Sequence, residues 1–547
     1  MFTRTSAGVA CPHGSAVNST PRIALVVFVA LLCVVDVLWI RANAAPPRMY
    51  DDAFYLIDSV NLVGTLQERG LVPFLRECLE ATKGHPPMIK ILPVPFYLLL
   101  GTGTASALYA YIPLIVIFCL YLYSLTKLLF SSEEIAFVAV VVTALCPLTY
   151  GLWRNVMAEF GTAVATMACL YHLLRSDGFR IRKHVILSGA FFGWGLLWKI
   201  SFLVFLTGPF VYVFLASSRS RRVVDNLMLF GATVLLTAGP FYAIGGREVV
   251  RFARMAAQSS DYTELWSLGP VLSPKTVMLY WLNVVNFGFS FYLFLLFVLL
   301  VAFYVVKPAV RVPGRALWVL VPWMGLPLLF FSFQVLKEVR HLLPALPVFG
   351  ICVAVFLRSA LEGLRNSVRV GLALLLVSWP AYQLLAFSFD APYLPREDVR
   401  LGPFILSIKN LELASLQLSP TYTFPANPVK WPLEEIVSIV ASHASGANGA
   451  LPRVRVVGEH PYLSGLVLTY QAALSRTPIT SPGRSTRDDP RLWDFSVLVC
   501  GPEGKYGPLD YREPEAAAIL TDTNMGLAEI GRVRIPSGCD ARIYKKQ

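Results

Sequence analysis

Residues 23–40 read IALVVFVALLCVVDVLWI, a run of eighteen positions in which Asp36 carries the one charge. A helix of eighteen residues rises about 27 Å, close to the hydrocarbon thickness of a bilayer. The small-residue run Ala42-Asn43-Ala44 resembles a signal-peptide cleavage site. Asp36 and the length of the apolar run nevertheless favour an uncleaved membrane anchor, preceded by a cytoplasmic tail at residues 1–22.

The composition extends this interpretation to most of the chain. Of 547 residues, 56% are hydrophobic and 15% are charged, whereas about a quarter of the residues in soluble domains are charged. A formal net charge of +13 would indicate a nucleic-acid partner in a soluble protein. Here the basic residues lie in short loops between apolar segments, as membrane topology requires. The sequence therefore predicts a lipid bilayer as partner and no nucleic acid.

Apolar segments recur along the chain and are predicted to be helices. After residues 23–40 they lie near 88–100, 109–129, 135–150, 158–174, 185–198, 202–216, 226–244, 280–306, 316–333, 341–357 and 369–389. Four of the intervening loops are rich in Lys and Arg, which predicts that they are cytoplasmic. These loops are residues 175–184, 217–222, 307–315 and 358–369.

The same rule predicts an external C-terminal region. It also places three loops outside, those near 151–157, 245–279 and 334–340. Arg4 and Arg22 favour a cytoplasmic N-terminus, but twelve crossings would leave both termini on one side. A re-entrant or interfacial segment after Pro87 resolves the conflict, because irregular backbone is tolerated at membrane depth where protein covers it. Eleven and thirteen crossings both remain open, and the ambiguity lies within residues 88–129.

The predicted fold class is therefore mainly α, a polytopic bundle of about 11–13 transmembrane helices. The bundle covers residues 23–389 and includes a first external loop at residues 41–87. From residue 390 to 547, Pro, Gly, Ser and charged residues predict a small external α/β domain. Its predicted elements are a helix at 432–442 and strands at 453–457, 495–499 and 529–535. Cys500 and Cys539 are interpreted equally well as a disulfide or as two free thiols.

Two adjacent carboxylates follow the first apolar run, in the motif Tyr50-Asp51-Asp52-Ala53-Phe54-Tyr55. Asp is common in turns and at helix N-caps, and this structural interpretation is the better one for the pair taken alone. At the mouth of a membrane bundle, however, one carboxylate can accept a proton from an attacking hydroxyl while its neighbour tunes its pKa. Asp51 and Asp52 are therefore candidate catalytic residues.

Basic side chains occur at other positions on the predicted external side. His85, in Gly84-His85-Pro86-Pro87, can donate a hydrogen bond to a phosphate, and Lys90 follows about one turn later. Paired prolines at a helix entry are the structural alternative for this motif. Lys199 lies between two short apolar segments, where it either faces a polar partner or reaches the membrane interface.

A later apolar segment begins with Arg340-His341-Leu342-Leu343-Pro344. Arg binds phosphate through two parallel hydrogen bonds, and an interfacial anchor is the alternative. Arg154 and Glu159 flank another external entry, either as a structural ion pair or as part of a sugar or acceptor site. The candidate donor-phosphate contacts on the Asp51 side are His85, Lys199, Arg340 and His341. Cations beside a carboxylate suit transfer from a phosphate-linked donor.

In this order the motifs resemble those of the polyprenyl-phosphate-dependent C-type glycosyltransferases, which include bacterial aminoarabinose transferases and protein O-mannosyltransferases. The acidic motif resembles the Asp-Glu motif of the family's first external loop. His85-Pro86-Pro87-Met88 resembles the His/Lys-Pro-Pro-Leu motif that ends the loop. Residues 154–159 resemble the element that follows the family's fourth span. Lys199 resembles a basic residue that lies between two later short spans. Residues 340–347 resemble the family segment Arg-Tyr-Leu-Leu-Pro-Ala-Leu-Pro. The resemblance covers about residues 23–357.

The resemblance implies an integral membrane glycosyltransferase of the plasma or inner membrane. Such an enzyme transfers a hexose or pentose, with inversion, from a polyprenyl-phosphate donor to an extracytoplasmic glycolipid, polysaccharide or protein. It implies Asp51 as general base and Asp52 as its partner, although the family more often has Glu at the second position. The family has Tyr where His341 stands, which alters the contacts to donor or phosphate.

Other functions remain open at the level of sequence. A non-enzymatic transporter or flippase of lipid-linked sugars also needs cations near the membrane and a vestibule. A glycan ligase with diphosphate-linked donors is disfavoured by the early acidic pair. The glycosyltransferase interpretation requires no cofactor, and it leaves open whether the site binds a divalent cation.

Overall fold

A computed structural model describes most of the chain. The described residues are 20–47, 50–81, 84–218, 220–258, 270–335, 337–389, 399–401, 404–406, 423, 425–444, 451–458, 460, 462–481, 493–499 and 526–547. Arg4 and Cys500 lie outside these ranges. Cys539 is disulfide-bonded, so the free-thiol alternative is wrong for that residue, while its pairing with Cys500 stays a prediction.

Helices dominate the structure, and every predicted apolar segment contains at least one. The first half of the chain forms α1 (Thr20–Ala42), α2 (Tyr50–Arg69), α3 (Leu71–Leu79), α4 (Met88–Ile91), α5 (Val94–Leu100), α6 (Thr104–Tyr109), α7 (Tyr111–Phe130), α8 (Glu133–Ala144), α9 (Pro147–Trp153), α10 (Ala158–Arg175), α11 (Arg182–Trp198), α12 (Phe202–Ala216) and α13 (Arg221–Gln258). The second half forms α14 (Pro274–Asn283), a π-helix (Val284–Ser290), α15 (Phe291–Val306), α16 (Gly314–Ser332), a 3₁₀ helix (Val339–Ala345), α17 (Leu346–Ala360), α18 (Asn366–Phe389), α19 (Leu433–His443) and α20 (Gly465–Leu474).

One end of the bundle, which we call the loop face, joins the chain between α1 and α2 to the C-terminal region. The backbone N–H of Ala44 donates to the carbonyl of Asn427 at 2.8 Å. The hydroxyls of Thr104 and Tyr470 lie 3.1 Å apart. Helix α2 packs against α20. The predicted first external loop and the C-terminal region therefore lie on the same face.

The opposite end, which we call the basic face, carries the four loops predicted to be cytoplasmic. Arg22, at the start of α1, pairs with Glu133 at 2.6 Å. Arg358, at the end of α17, pairs with Glu134 at 3.1 Å. These contacts bring the N-terminal end of α1 to the basic face, which agrees with the predicted side of the N-terminus relative to these loops.

Eleven helical segments run between the two faces within the described residues. They are α1, α7, the α8–α9 pair, α10, α11, α12, α13, α14 to α15, α16, the 3₁₀ helix with α17, and α18. By length and apolar composition alone, seven described helical segments can cross a membrane, or eight with the α8–α9 pair, which is bent by 68°. The other three of the eleven segments are α10, α11 and α12, which have 18, 17 and 15 residues.

The segment Met88–Leu100, which comprises α4 and α5, does not run between the faces. A helix of its length would rise about 20 Å, well short of the hydrocarbon core of about 30 Å. It stays beside α2 on the loop face. This is the re-entrant or interfacial arrangement that the sequence left open, and it favours eleven crossings over thirteen.

Helix α10 lies at the centre of the bundle. Sixteen of its eighteen residues are buried, and most of them are small, which lets neighbouring helices approach closely. At Gly161, a Cβ would lie 2.2 Å from the ring of Trp198, so a larger residue has no room. This close packing holds Glu159, in the first turn of α10, at the middle of the loop face.

A small four-stranded sheet lies in the described C-terminal region. Its strands are β3 (Val454–Val457), β4 (Phe495–Val499), β5 (Leu527–Arg534) and β6 (Asp540–Lys546), in the order β3-β4-β6-β5; β1 (Val399–Leu401) and β2 (Phe404–Leu406) form a separate antiparallel pair. Strands β3 and β4 are parallel, and the other neighbours in the larger sheet are antiparallel. The predicted helix and three predicted strands are present, whereas α20 and β6 were not predicted. The fold class, mainly α with a small mixed C-terminal unit, is confirmed.

Candidate active site

The two aspartates at the start of α2 have different surroundings. The side chain of Asp51 is 43% exposed, and its Oδ2 accepts a hydrogen bond from Arg340 Nη1 at 2.7 Å. Asp52 is buried, and its Oδ1 has no hydrogen-bond partner in the described part of the chain. Both lie in the first helical turn, where the helix dipole favours negative charge.

These surroundings separate the two acids chemically. Burial raises the pKa of Asp51, but the charge of Arg340, together with that of His85 when it is protonated at acid pH, more than compensates, and the net pKa is lowered. Burial, followed by the nearby charge of Asp51, raises the pKa of Asp52 well above its usual value. Asp51 is therefore the ionised member of the pair, and Asp52 retains its proton to higher pH.

Arg340, in the 3₁₀ helix, lies among three carboxylates. Besides its bond to Asp51, its Nε is 3.6 Å from Glu159 Oε1 and in close contact with Glu338 Oε2. Its side chain is only 14% exposed. Glu338 was not predicted as a site residue, although an acid two positions before a candidate phosphate-binding Arg is a signal that could have identified it. A guanidinium in contact with three carboxylates is positioned to exchange one of them for a phosphate.

Glu159 joins the remaining predicted cations. Lys199 Nζ donates to its Oε1 at 2.6 Å, and His341 Nδ1 lies 3.2 Å from the same oxygen. Lys199 Nζ is also 3.0 Å from His341 Nδ1. Lys199, Arg340 and His341 thus converge as predicted, but on Glu159, from the α11–α12 junction and the 3₁₀ helix. Glu159 therefore contacts all three of these side chains, and its predicted place in a sugar or acceptor site stays a prediction.

His85 is placed by the residue before it. Gly84 has a φ of +82°, and a Cβ there would lie 2.1 Å from Phe252 Cβ on α13, so both backbone and space require glycine. The ring of His85 packs on Phe252 with centroids 4.7 Å apart, and its Nδ1 is 3.1 Å from the Tyr55 hydroxyl. Burial lowers the pKa of His85 to about 4. His85 is therefore neutral at pH 7 and offers a hydrogen bond rather than the predicted positive charge.

Lys90 does not reach this site. Its buried Nζ donates to the carbonyl oxygens of Glu77 and Glu80, each at 2.9 Å. These carbonyls end α3, where a cation also complements the helix dipole. Lys90 therefore fixes the hairpin of α2 and α3, and the expectation that it adds charge beside His85 is wrong.

Arg154 also differs from the prediction, because it is not paired with Glu159. Its Nε donates to Asp36 Oδ1 at 2.8 Å, and its Nη1 donates to Ser388 Oγ at 2.8 Å. Trp153 Nε1 donates to the same oxygen of Asp36 at 3.1 Å. The expected ion pair between Arg154 and Glu159 is therefore wrong, and Asp36 is the partner of Arg154 that sequence reasoning missed. A lone acid inside the first apolar run was the available signal.

A cavity nonetheless connects this pair with the acidic motif. It is lined by Arg154, Asp52, Asn155, Asn43, Thr104 and Tyr462, among others. Arg154 therefore lines the same cavity as Asp52, while Asp36 neutralises its charge. Among the described residues, no group of three or more His, Cys, Asp or Glu side chains is arranged to hold a metal ion.

Comparisons with known proteins agree with this geometry. Residues 84–242 match the family model described as dolichyl-phosphate-mannose-protein mannosyltransferase. No curated protein matches the sequence significantly.

Two crystal structures of ArnT from Cupriavidus metallidurans share the fold across 96% of this chain and 98% of theirs. The structure with bound undecaprenyl phosphate has a TM-score of 0.56 and 12% sequence identity. The apo structure has a TM-score of 0.57 and 14% identity. The chain is therefore a multi-pass membrane protein that shares the ArnT fold over nearly its whole length. The family model that residues 84–242 match agrees with the resemblance that the motifs predict.

Proposed function

We propose that the protein transfers one sugar from a polyprenyl-phosphate donor to an extracytoplasmic acceptor, with inversion at the anomeric carbon. The observation that carries the proposal is the contact between Asp51, whose side chain is 43% exposed, and Arg340, which brings a candidate base and a candidate phosphate ligand together. The undecaprenyl phosphate bound to ArnT supports the lipid class of the donor. The acceptor is a glycolipid, a polysaccharide or a protein.

The mechanism requires this pair to open. In an inverting transfer the base and the leaving phosphate lie on opposite sides of the anomeric carbon, and two groups 2.7 Å apart leave no room for a sugar. The donor phosphodiester carries one negative charge, as a carboxylate does, and its two free oxygens can accept parallel hydrogen bonds from a guanidinium; it replaces Asp51 on Arg340 and so separates the two. Loss of the guanidinium raises the pKa of Asp51 and makes it a better base.

The reaction then follows from the contacts. The acceptor hydroxyl gives its proton to Asp51, its oxygen bonds to the anomeric carbon, and the bond from that carbon to the phosphate oxygen breaks with its electron pair. Arg340 and Lys199 stabilise the departing phosphate, to which His85 and His341 offer hydrogen bonds. Glu159 and Glu338 hold the cations in position. Asp52, protonated and buried beneath Asp51, supports it without competing for the proton.

The transfer assay separates this proposal from the transporter alternative. Purified protein is incubated with synthetic polyprenyl-phosphate hexoses and pentoses and with extracted envelope glycolipids, and the anomeric configuration of any product is read by NMR. The same donors are tested in proteoliposomes for movement between leaflets. Turnover that depends on Asp51 supports the enzyme, whereas movement of lipid without product would support a flippase. Mass spectrometry of glycolipids and glycoproteins from cells lacking the protein identifies the acceptor and the sugar.

The proposed orientation, with the loop face outside and the residue 390–547 region an external domain, has its own test. The excess of Lys and Arg on the basic face supports it. A cysteine at the exposed position Ser442 should react with a membrane-impermeant thiol reagent in intact spheroplasts, and one at the exposed position Lys183 only after permeabilisation. The unsubstituted protein corrects for its own cysteines. The reverse labelling would place the acidic loop in the cytoplasm and exclude an external acceptor.

A further inference from the structure

A second polar cavity lies on the basic face, away from the acidic loop. Its volume is about 180 Å³, room for several waters at about 30 Å³ each. The side chains that matter for binding are Arg180, Arg315, Tyr212, Ser217, Ser218 and Asp177. Leu174 lines it as well, fifteen positions after Glu159 on α10, which places the cavity about 23 Å from the active site.

The chemistry of this lining suits a phosphate group. Arg315 Nη2 donates to the Leu174 carbonyl at 2.8 Å, a contact that fixes the guanidinium and uses one of its five N–H donors. Arg180 is 3.6 Å from Asp177, with both side chains more than half exposed, so that pairing is weak. The two arginines and one aspartate leave a charge of +1, and the hydroxyls of Tyr212 and Ser218 add donors, whereas that of Ser217 donates to the Phe214 carbonyl at 2.6 Å.

The backbone around the cavity has an unusual conformation. Asp177, Gly178 and Phe179 have consecutive positive φ values of 50°, 61° and 64°. A left-handed conformation is uncommon for a bulky residue and is concentrated at ligand sites. Asn226 Nδ2 holds the turn through a 2.7 Å bond to the Phe179 carbonyl, and the fully buried Phe179 ring anchors it.

The cavity borders a surface that faces lipid chains. Leu215 on α12 and Trp318 on α16 are 75% and 66% exposed, as expected for side chains that contact acyl chains in a membrane helix. Tyr212 stacks on Trp318 with ring planes 7° apart. Tyr and Trp are enriched at the level of lipid headgroups. A phosphate bound between the arginines would therefore have its acyl chains beside Leu215 and Trp318.

We propose that this cavity binds the phosphodiester headgroup of an anionic phospholipid of the leaflet on the basic face. The assignment is independent of sugar transfer, because no residue of the cavity belongs to the active site. It also explains why arginine, tryptophan and hydroxyl groups lie together at the edge of this cavity. Membrane topology alone would require only positively charged residues there.

Native mass spectrometry of the full chain in detergent tests the proposal. The protein is offered equal amounts of phosphatidylglycerol and phosphatidylcholine with identical acyl chains, and phosphatidylglycerol should be retained preferentially. Arg180→Ala with Arg315→Ala should lower its retention about tenfold or more, because two charge-assisted contacts are lost. Arg365→Ala, which removes another exposed arginine on the basic face, should change retention less than about twofold.

The outcomes that would overturn the assignment are distinct. Equal retention of the two lipids, or an equal loss in Arg365→Ala, would leave only non-specific attraction to the basic face. Displacement of phosphatidylglycerol by millimolar inorganic phosphate would identify a soluble phosphate ligand instead. If the double Ala variant does not fold, Arg180→Lys with Arg315→Lys replaces it. That variant keeps the charge and should still lose affinity, since an ammonium lacks the two-pronged geometry.

Discussion

Two aspartate–arginine pairs lie near the loop face, and their contacts are almost equal in length. Arg340 meets Asp51 at 2.7 Å, and Arg154 meets Asp36 at 2.8 Å. The side chains of the second pair are 2% and 1% exposed, whereas those of the first are 14% and 43% exposed. Access to solvent, rather than contact length, therefore separates a pair that fastens helices from a pair that a ligand can open.

The energetics of the two pairs differ accordingly. Removing one partner of a buried pair leaves an uncompensated charge in a medium that cannot solvate it. An accessible pair contributes little to stability, because water and salt compensate for either partner. Variants in the first pair should therefore affect turnover at unchanged stability, and variants in the second should affect stability first.

The largest effect is expected for Asp51→Asn. The amide keeps the shape of the side chain but cannot accept the proton, so the turnover rate should fall about 10²–10⁴-fold. The melting temperature in detergent should stay at the wild-type value, because the Arg340 contact is accessible. Asp177→Asn on the basic face is the matched control for loss of one exposed carboxylate. Wild-type turnover by Asp51→Asn would falsify the assignment of the base.

The pH dependence of the wild-type enzyme follows from the same carboxyl. The pKa of Asp51 in the free enzyme is lowered, so the base is ionised above that pKa and is lost as pH falls through it. The acid limb of kcat/KM should therefore lie below the usual aspartate pKa of about 3.9. The acid limb of kcat should lie at higher pH than that of kcat/KM, because bound phosphate has replaced Asp51 on Arg340. Coincident limbs would argue against that exchange.

The next largest effect is expected for Asp36→Ala, which should lower the stability of the fold. It leaves Arg154 buried without its counter-charge, which costs about 3–5 kcal/mol of unfolding free energy. Yield after detergent extraction and the midpoint of thermal unfolding report the loss. Asp36→Leu combined with Arg154→Met removes both charges and should recover most of the stability. A stable but inactive Asp36→Ala variant would show instead that the pair of Asp36 and Arg154 takes part in catalysis.

A smaller effect is expected for Arg340→Lys. An ammonium keeps the charge but cannot make two parallel hydrogen bonds to phosphate oxygens, so the donor KM should rise by about tenfold. The acceptor KM should stay close to wild type, because the acceptor approaches from the side of Asp51. Kinetics with each substrate varied separately decide this point. A change confined to the acceptor would remove Arg340 from the phosphate site.

The smallest effect is expected for Asp52→Asn. Burial and the neighbouring charge raise the pKa of Asp52 and so favour its protonated form, which an amide resembles in shape and polarity. Turnover should fall by less than about tenfold. If this variant is inactive while Asp51→Asn retains activity, the two aspartates exchange roles.

The sequence predicted those parts of the site that stand out locally. Asp51, Lys199 and Arg340 are charged residues at the ends of apolar segments, where charge is costly and therefore conspicuous. The pairing of these residues could not be predicted in the same way. Arg154 lies five positions before Glu159 but turns to Asp36, which is 118 positions away, because the rotation of α9 against α1 decides its direction.

Some elements escaped prediction for similar reasons. Lys90 is one turn from the His85 motif, yet the hairpin of α2 and α3 brings the carbonyls of Glu77 and Glu80 within reach of its ammonium. Strand β6 contains Asp540, Arg542 and two lysines, so its alternation of buried and exposed positions is weak in hydrophobicity. The number of crossings depends on where the segment at residues 88–100 lies. Its length agrees with the prediction, but its position beside α2 is decided by tertiary packing.

The contact between the chain after α1 and the C-terminal region has a consequence for biosynthesis. The backbone N–H of Asn427 donates to the Asn43 side chain, its partner 384 positions earlier. At roughly 5–20 residues per second, a ribosome needs on the order of 20–80 s to make the intervening chain. During that interval the acidic loop has been synthesised but lacks the surface that covers it. A nascent chain arrested after α18 would keep that surface exposed to chaperones and proteases, so the last fifth of the polypeptide determines when the protein is released from quality control.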